Sequence, residues 1–494
     1  MRLENIVLPG RDPSSRWEVG VAAGKITSIR PSPDSFSPSD PASLLLPSLC
    51  HPHIHLDKAY LLTGNSQHHP SRSQPTSRSD ELPDYTDLTP QSGSFSEALA
   101  FTSRAKQRYT PADLHLRGSQ LLATSLLQGV TSCRAFVELD HVTGDKCLEV
   151  AVALKRGFND KLRLQICAFA QDPIFSTEHA EENRRILNHA LQQYESEIEA
   201  LGTTPYVEET PEASERNIRW AIETALAYSL HLDFHLDYNL DKDRAPMVWD
   251  VLRLLKQARW NERAEKGKTI VLGHCSRLTL CSDVELVVLA KAIRDSELPI
   301  HFVGLPTSDL FMMGRPQSTE ARPEPSGLQA QDQSAHRPRG TLQVLDMIHR
   351  LGLSACLSVN NVGNAFTPWG TGDPLSLASL GVGIYQAGTD DDARTLFECV
   401  SSRARRALGL SIEKAAEKAA RGQDVQQTDM SVVEADGDTL DLKEGRTGPF
   451  LLIRNEEWVG CPGHLGLKVP ARQRVRVRDV VWDPPEIVLR QVIY

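Results

Sequence analysis

Two histidines, His53 and His55, stand one residue apart where an apolar run ends, in the sequence LLLPSLCHPHIHLDK of residues 44–58. Side chains at positions i and i+2 of a β-strand point to the same face, so this pair can bind one cation from a single strand end. Neutral imidazole is the commonest metal ligand in proteins. The tail Asp57-Lys58 suggests that the strand has just left the core. Because the chain has 16 histidines, an accidental pair is the alternative to a metal site.

Two further histidines stand where a predicted strand gives way to a loop. His235 lies in HLDFHLD, and His274 follows the apolar run Thr269-Ile270-Val271-Leu272. In a barrel of alternating strands and helices, the carboxyl ends of the strands converge on one face, which carries the active site. We therefore expect these histidines to meet there.

The elements that would position these side chains alternate between strands and helices. One helix is predicted from a Thr110-Pro111 start to Gly129, and a second starts at Pro211. Counting the strand before His53, eight strands are predicted, which indicates an α/β fold, a (β/α)8 TIM-type barrel. The other seven lie near residues 128–137, 162–169, 203–208, 231–236, 269–274, 299–305 and 353–359.

Short alternating patterns at both ends of the chain predict a second, smaller unit. Residues 1–46 and 440–494 are expected to form a composite, β-sandwich-like domain, leaving residues 47–439 for the barrel. Its C-terminal strands are predicted at residues 450–453, 475–477 and 480–482.

Two polar insertions, residues 63–94 and 315–339, interrupt the barrel pattern. They are expected to be long loops or partly disordered, either as surface insertions or as lids over the site.

Composition excludes several classes of protein. Of the 494 residues, 40% are hydrophobic and 24% charged, as in soluble globular proteins. The net charge of -10 argues against nucleic-acid binding, and no apolar run is long enough for a membrane span or signal peptide. Nine cysteines without a paired spacing give no disulfide framework or cysteine-type zinc site. We expect a cytoplasmic enzyme, with the oligomeric state left open and homo-oligomers included.

The motifs together resemble the amidohydrolase superfamily, and within it the cytosine deaminase branch. The resemblance covers most of residues 44–410. It rests on PHIHLD at 52–57, GVTSCRAFVELD at 129–140, LQICAFAQDPIFS at 164–176, HLDFHLD at 231–237 and PWGTGDPL at 368–375. It implies a barrel enzyme that binds one divalent ion, zinc or iron.

Carried over by position, the resemblance implies that His53, His55 and His235 bind the metal ion. His274 would contact the metal-bound water. Gln171 stands where the family's pyrimidine-binding glutamine stands. A cation with an open coordination site lowers the pKa of its water and polarises the substrate.

The chain departs from the family at three positions. Tyr238 stands where the family has its general acid/base glutamate, and Asn360 and Asn361 replace two aspartates after the eighth strand. Asn360 is then the fourth ligand position. Asn361 and Trp369 would meet the substrate ring, with a mixed donor and acceptor pattern that suggests a substrate other than cytosine.

Three alternatives remain open for proton transfer. Another carboxylate can take the role, or Tyr238 can act as donor with a pKa lowered by the cation. In the third alternative, the site binds a small molecule without hydrolysing it. The carboxylate candidates are Asp237, Asp309, Glu138 and Glu208, and Glu138 is also a candidate for substrate binding.

The sequence thus predicts a metal-dependent amidohydrolase that acts on a carbon-nitrogen bond of a small cyclic substrate, by deamination or ring opening. A catalytically impaired binding protein and a metal-assisted lyase or decarboxylase are the alternatives. Three other segments are predicted to be structural: His179-Ala180-Glu181 lies in a polar helix, Gly381-Val382-Gly383 forms a tight turn near the site, and residues 390–408 form one helix.

Overall fold

The computed structural model describes residues 1–32, 40–64, 82–313, 340–410, 440–460 and 468–494. The predicted insertion 315–339 and residues 65–81 of the first insertion lie outside the described residues. The rest of the first insertion packs against the barrel, because Tyr85 and Leu88 are buried. The Tyr85 hydroxyl donates to the Asp113 carboxylate at 2.8 Å.

Eight parallel strands form the central sheet, in the sequence order of the chain, which confirms the predicted barrel architecture. These strands are β5 (Leu49–His55), β6 (Val130–Glu138), β7 (Arg163–Ala170), β8 (Ile198–Thr203), β9 (His231–Leu236), β10 (Ile270–His274), β11 (Ile300–Gly304) and β12 (Ala355–Leu357). Their side chains are almost all buried, as expected for a parallel sheet covered by helices.

The barrel closes where β12 meets β5, through the residues that follow β12. The Asn360 carbonyl accepts from the His55 amide at 2.9 Å, and the Asn360 amide donates to the His53 carbonyl at 3.3 Å. The Ser358 hydroxyl also donates to the His53 carbonyl, at 2.6 Å. The last and first strands are therefore joined at the predicted metal site.

Helices cover the sheet, and the two predicted helix starts are confirmed. They are α1 (Phe95–Lys106), α2 (Pro111–Gln128), α3 (Lys146–Phe158), α4 (Ala180–Gln193), α5 (Pro211–Ala227), α6 (Val248–Gln257), α7 (Trp260–Arg263), α8 (Asp283–Arg294), α9 (Pro306–Met312), α10 (Val344–His349), α11 (Pro374–Ile384), α12 (Asp390–Cys399), α13 (Ser402–Ala407) and α14 (Val477–Trp482). The Thr110 and Thr210 side chains accept from backbone amides at the starts of α2 and α5. Gly129 ends α2 with φ of 99°.

Both ends of the chain contribute to a second sheet, as predicted. It is a single six-stranded sheet in the order β16-β13-β4-β1-β2-β3. Its strands are β1 (Arg2–Val7), β2 (Trp17–Ala22), β3 (Lys25–Pro31), β4 (Ser43–Pro47), β13 (Phe450–Ile453) and β16 (Arg490–Ile493). Strand β4 crosses the expected boundary at residue 46, and β14 (Trp458–Gly460) pairs with β15 (Lys468–Pro470) in a separate ribbon.

The predicted strands at residues 475–477 and 480–482 were wrong, because this segment contains the helix α14. The Asp479 carboxylate accepts from the Val475 and Arg476 amides and caps the helix start. Val480 and Val481 then lie on its buried side. These β-branched residues suggested a strand, but burial on one helix face outweighs their local preference.

Three further parts of the structure differ from the prediction. The fourth strand is β8, which ends at Thr203, because Pro205 lacks the amide needed to continue a strand and begins a short 3₁₀ turn. Residues 390–408 form two helices, separated near Val400 and Ser401. Gly381 lies inside α11 and allows close packing, since a Cβ there would lie 2.8 Å from a Leu396 methyl group.

The eight described cysteines are free, and all but Cys281 are buried. Among the described helices, none is both long and apolar enough to cross a membrane.

Candidate active site

Three histidines from opposite sides of the barrel meet at the carboxyl ends of the strands. His53 and His55 end β5, and His235 lies at the end of β9. Each offers a ring nitrogen, and these three nitrogens lie within 4.8 Å of one another. All three side chains are buried, and Phe136 packs against each of them with ring centroids 4.2 to 5.1 Å apart.

The environment keeps these imidazoles in the neutral form that binds metals. Burial lowers the pKa of His53, His55 and His235 well below the usual value of 6.5. Neighbouring groups lower it further, because the positive charge of Lys58 disfavours a second positive charge nearby. The lone pairs of the three rings are therefore available to a cation.

The nitrogen spacing fits a shared divalent ion. His55 Nε2 and His235 Nε2 are 3.2 Å apart. Two nitrogens bound to one tetrahedral zinc ion at about 2.0–2.1 Å would be roughly 3.3 Å apart. Within the described part of the chain, both His53 nitrogens and the Asn360 Oδ1 are buried without a hydrogen-bond partner. Buried polar atoms normally have partners, so this set of atoms suits the binding of a cation.

Asn360 brings an amide oxygen to the same place. Its Nδ2 donates to the Ser308 hydroxyl at 3.0 Å, which leaves Oδ1 for the imidazole side. Its side chain interacts with His53 and His55, in both cases opposing the effect of burial on the imidazole pKa. The predicted fourth ligand position is thus beside the three histidines, but it is occupied by a neutral amide.

His274 is held by a carboxylate at the edge of the cluster. Its Nδ1 lies 2.9 Å from Asp309 Oδ1, and the Thr341 hydroxyl donates to Asp309 Oδ2 at 2.8 Å. The His274 and His235 rings are 5.4 Å apart. Burial raises the pKa of Asp309, although its hydrogen bond with His274 opposes the shift. Asp309 therefore orients a histidine whose other nitrogen, Nε2, has no hydrogen-bond partner among the described residues.

Tyr238 packs on His274 with ring centroids 3.9 Å apart and an angle of 29°. Its hydroxyl donates to the Ser308 carbonyl at 3.0 Å. The ring thus fixes the plane of His274, while the hydroxyl is engaged elsewhere. This geometry favours a positioning role over proton donation.

The other predicted acids support loops. Asp237 has φ of 50°, and its two carboxylate oxygens accept from the Met247 amide at 3.0 and 3.1 Å. Burial raises its pKa to about 6. Glu208 accepts from the Ile174 amide and the Asn217 side chain. Both carboxylates are engaged in these contacts, so the geometry favours structural roles for them.

Glu138 lies between two buried lysines. It forms ion pairs with Lys58 and with Lys106, the latter at 2.5 Å. Lys58 also donates to Gln171 Oε1 at 3.1 Å. Burial raises the pKa of Glu138, but the two lysines outweigh it and the net pKa is lowered. These contacts favour a role for Glu138 as the charged partner of Lys58 over direct binding of a substrate.

Sequence reasoning missed Lys58 and Asp233. The tail Asp57-Lys58 was expected to leave the core, but both residues are buried, because Glu138 compensates the lysine and the Glu138 amide donates to Asp57 at 2.7 Å. Asp233 lies two residues before His235 on the same strand face, a signal that was present in the sequence. Its Oδ1 is 3.9 Å from His53 Nδ1.

The two residues predicted to meet the substrate ring differ in exposure. Asn361 is buried, and its Oδ1 accepts from Asn364 at 2.8 Å. Trp369 is 52% exposed, so its side chain lies at the surface. The ring of Phe366 lies near Lys58, with its centroid 5.3 Å from Nζ.

Solved structures share this architecture. The 5-methylcytosine deaminase from Klebsiella pneumoniae, liganded with 5-fluorocytosine, is 19% identical and has a TM-score of 0.67 over 92% of this chain and 91% of its own. N-isopropylammelide isopropylaminohydrolase from Burkholderia multivorans is 18% identical, with a TM-score of 0.61 over 100% and 96%. An adenosine deaminase from Xanthomonas campestris with bound zinc is 14% identical, with a TM-score of 0.50 over 88% and 80%.

Comparisons of sequence alone gave no match, either with protein-family models or with curated proteins. At such low identity the structural likeness establishes the fold. The motif resemblance is therefore confirmed at the level of the fold, which this chain shares with a solved deaminase and a solved aminohydrolase.

Proposed function

We propose that this chain is a metal-dependent hydrolase that cleaves a carbon-nitrogen bond of a small cyclic substrate, by deamination or ring opening. One divalent ion, zinc or iron, would be held by His53, His55 and His235, with Asn360 as a fourth, neutral ligand. The observation that carries the proposal is the meeting of three buried, neutral imidazoles within 4.8 Å at one end of the barrel. The deaminase and aminohydrolase structures with the same fold support it.

The chemistry supplied by a divalent cation in such a site is a water molecule acidified towards neutral pH and a polarised substrate. The chain must then move a proton. His274 would accept it at Nε2 and return it to the leaving nitrogen. Asp309, bonded to Nδ1, would hold the ring and stabilise its charged form, as the carboxylate does in other histidine-carboxylate pairs. This pair would take the role of the general acid/base glutamate, whose position Tyr238 occupies in this chain.

Metal analysis and a substrate panel test the proposal together. We expect about one equivalent of metal in the purified protein after metal-supplemented expression, and much less in a His235→Ala variant. The panel contains lactams, cyclic ureas, pterins and pyrimidines, assayed for ammonia release and ring opening. A metal content below about a tenth of an equivalent would contradict the proposal.

Binding without turnover is the second candidate, and the neutral Asn360 favours it. An amide is a weaker ligand than a carboxylate, so the site could retain a ligand pocket after losing catalytic power. This candidate predicts saturable binding of a panel member with neither ammonia release nor ring opening in the metal-loaded protein.

A further inference from the structure

We propose that Lys58 and Gln171 present only hydrogen-bond donors to the substrate, so that the site selects a small ring with two adjacent acceptor oxygens, such as a ring carboxylate. The inference rests on the proposed function for the presence of a cyclic substrate. The donor pattern itself comes from contacts within the chain.

The ammonium group of Lys58 has a donor to spare. It is buried, with 1% of the residue exposed, and forms an ion pair with Glu138 and a hydrogen bond with Gln171 Oε1. A protonated lysine has three N–H donors and no acceptor. Two of them are used, and the third has no partner among the described residues. A hydrogen bond from an ammonium N–H to an anionic acceptor is charge-assisted and therefore strong.

Lys58 also decides which way the Gln171 amide faces. The oxygen and nitrogen of a glutamine amide are usually assigned from their hydrogen-bond partners. An ammonium group cannot accept a hydrogen bond, so the atom that faces Lys58 at 3.1 Å must be Oε1. The Nε2 group has no partner among the described residues. Gln171 therefore offers a donor to a ligand, and its acceptor is already used.

Both donors lie next to the histidine cluster. Lys58 comes three residues after His55, and Gln171 directly follows β7. Strands β5, β6 and β7 are neighbours in the sheet, and Glu138 ends the middle one. A ligand that reaches the imidazoles would thus meet this donor pair at the same barrel face.

The pattern restricts the substrate class. A free glutamine amide can bind a ring edge that has one donor and one acceptor. Here two donors stand side by side, so a ring N–H at this point would face another N–H. A carboxylate presents two acceptor oxygens together and suits both groups.

Binding of two matched rings tests the inference by calorimetry on the metal-loaded protein. Orotate is uracil with an added carboxylate, so their ratio of dissociation constants isolates the acceptor group. We expect orotate to bind at least about tenfold more tightly than uracil. Gln171→Glu is isosteric and still accepts from Lys58, but it replaces the Nε2 donor with an acceptor. It should reduce the orotate affinity by about tenfold or more and change the uracil affinity by less than about threefold.

Lys58→Met removes the charged donor while Lys106 still pairs with Glu138, which limits damage to the fold. It should abolish the preference for orotate, whereas Lys58→Arg should retain part of it. Gln192→Glu, the same chemical change at an exposed position of α4, is the control and should leave both affinities unchanged.

Several results would overturn the inference: equal binding of the two rings by the unaltered protein, binding of neither, or an unchanged ratio in Gln171→Glu and Lys58→Met. The outcomes also separate this inference from the proposed function. Selective orotate binding without metal-dependent turnover of any ring would refute only the function. Turnover with no preference for acceptor-rich rings would refute only the donor pattern.

Discussion

Replacing Asn360 by aspartate should strengthen metal binding and weaken the metal-free protein. Asn360 is 2% exposed, and its side chain contacts the Ser308 hydroxyl and two neutral imidazoles, with no cationic side chain among them. A carboxylate there would be a buried charge without compensation. Such a charge costs about 3–5 kcal/mol. A bound divalent cation would remove this cost, because it supplies the missing positive charge.

The expected changes in stability and in metal affinity both follow from the cost of this uncompensated carboxylate. The free energy of unfolding of metal-free Asn360→Asp should fall by about 3–5 kcal/mol relative to the parent protein. The metal dissociation constant should fall by roughly a hundredfold to several thousandfold, since each 1.4 kcal/mol is about tenfold. Urea unfolding with and without metal gives the first quantity, and competition with a chelator of known affinity gives the second.

The neighbouring residue provides the control. Asn361→Asp adds the same charge one position later, where the side chain accepts from Asn364. It should also destabilise the protein, but added metal should not reverse the effect. The reasoning is refuted if Asn360→Asp binds metal no more tightly than the parent protein, or if Asn361→Asp shows an equal gain.

Three further predictions concern other parts of the structure. His274→Asn should lower turnover by about 10²–10⁴-fold while the metal content stays unchanged, and parallel loss of metal would contradict this. Gly273→Ala should weaken metal binding by about tenfold in a chelator competition, because a Cβ there would lie 2.9 Å from the His53 ring; unchanged binding would contradict this reasoning. Arg490 binds the Asp373 carboxylate at 2.7 and 2.8 Å, so Arg490→Met should lower the free energy of unfolding by about 3–5 kcal/mol. Burial raises the pKa of Asp373, but Arg490 lowers it more. The stabilisation by the Arg490–Asp373 ion pair should therefore be present above pH 3.8 and be lost as the pH falls further. A pH-independent difference between parent and variant in urea unfolding would refute this.

Much of the barrel could be predicted because its signals are local. Apolar runs of strand length indicate where most of the barrel strands end, β8 excepted. The ends of β5, β9 and β10 carry the histidines that meet in space. The spacing of His53 and His55 is a property of one strand and needs no knowledge of the rest. The convergence of His235 then follows from the alternation of strands and helices.

What the sequence did not reveal depends on distant partners. Lys58 is buried because Glu138 compensates its charge and Gln171 accepts its hydrogen bond, and both residues lie at the ends of later strands. The helix α14 forms because packing on one side of Val480 and Val481 outweighs their preference for strands. No local pattern contains these contacts, so the roles of the acids near the site could not be assigned before the structure.

The join between the first and last barrel strands gives the site a mechanical consequence. Strand β12 has only three residues, and the contact with β5 continues through the main chain of Asn360, which bonds to His53 and His55. A cation bound by these residues would hold the barrel together where β5 meets its shortest strand, β12. Removal of the metal by a chelator should therefore speed hydrogen exchange of the His55 and Asn360 amides before it affects the strands on the opposite side of the barrel. Loss of activity and the first local opening of the barrel would then occur together.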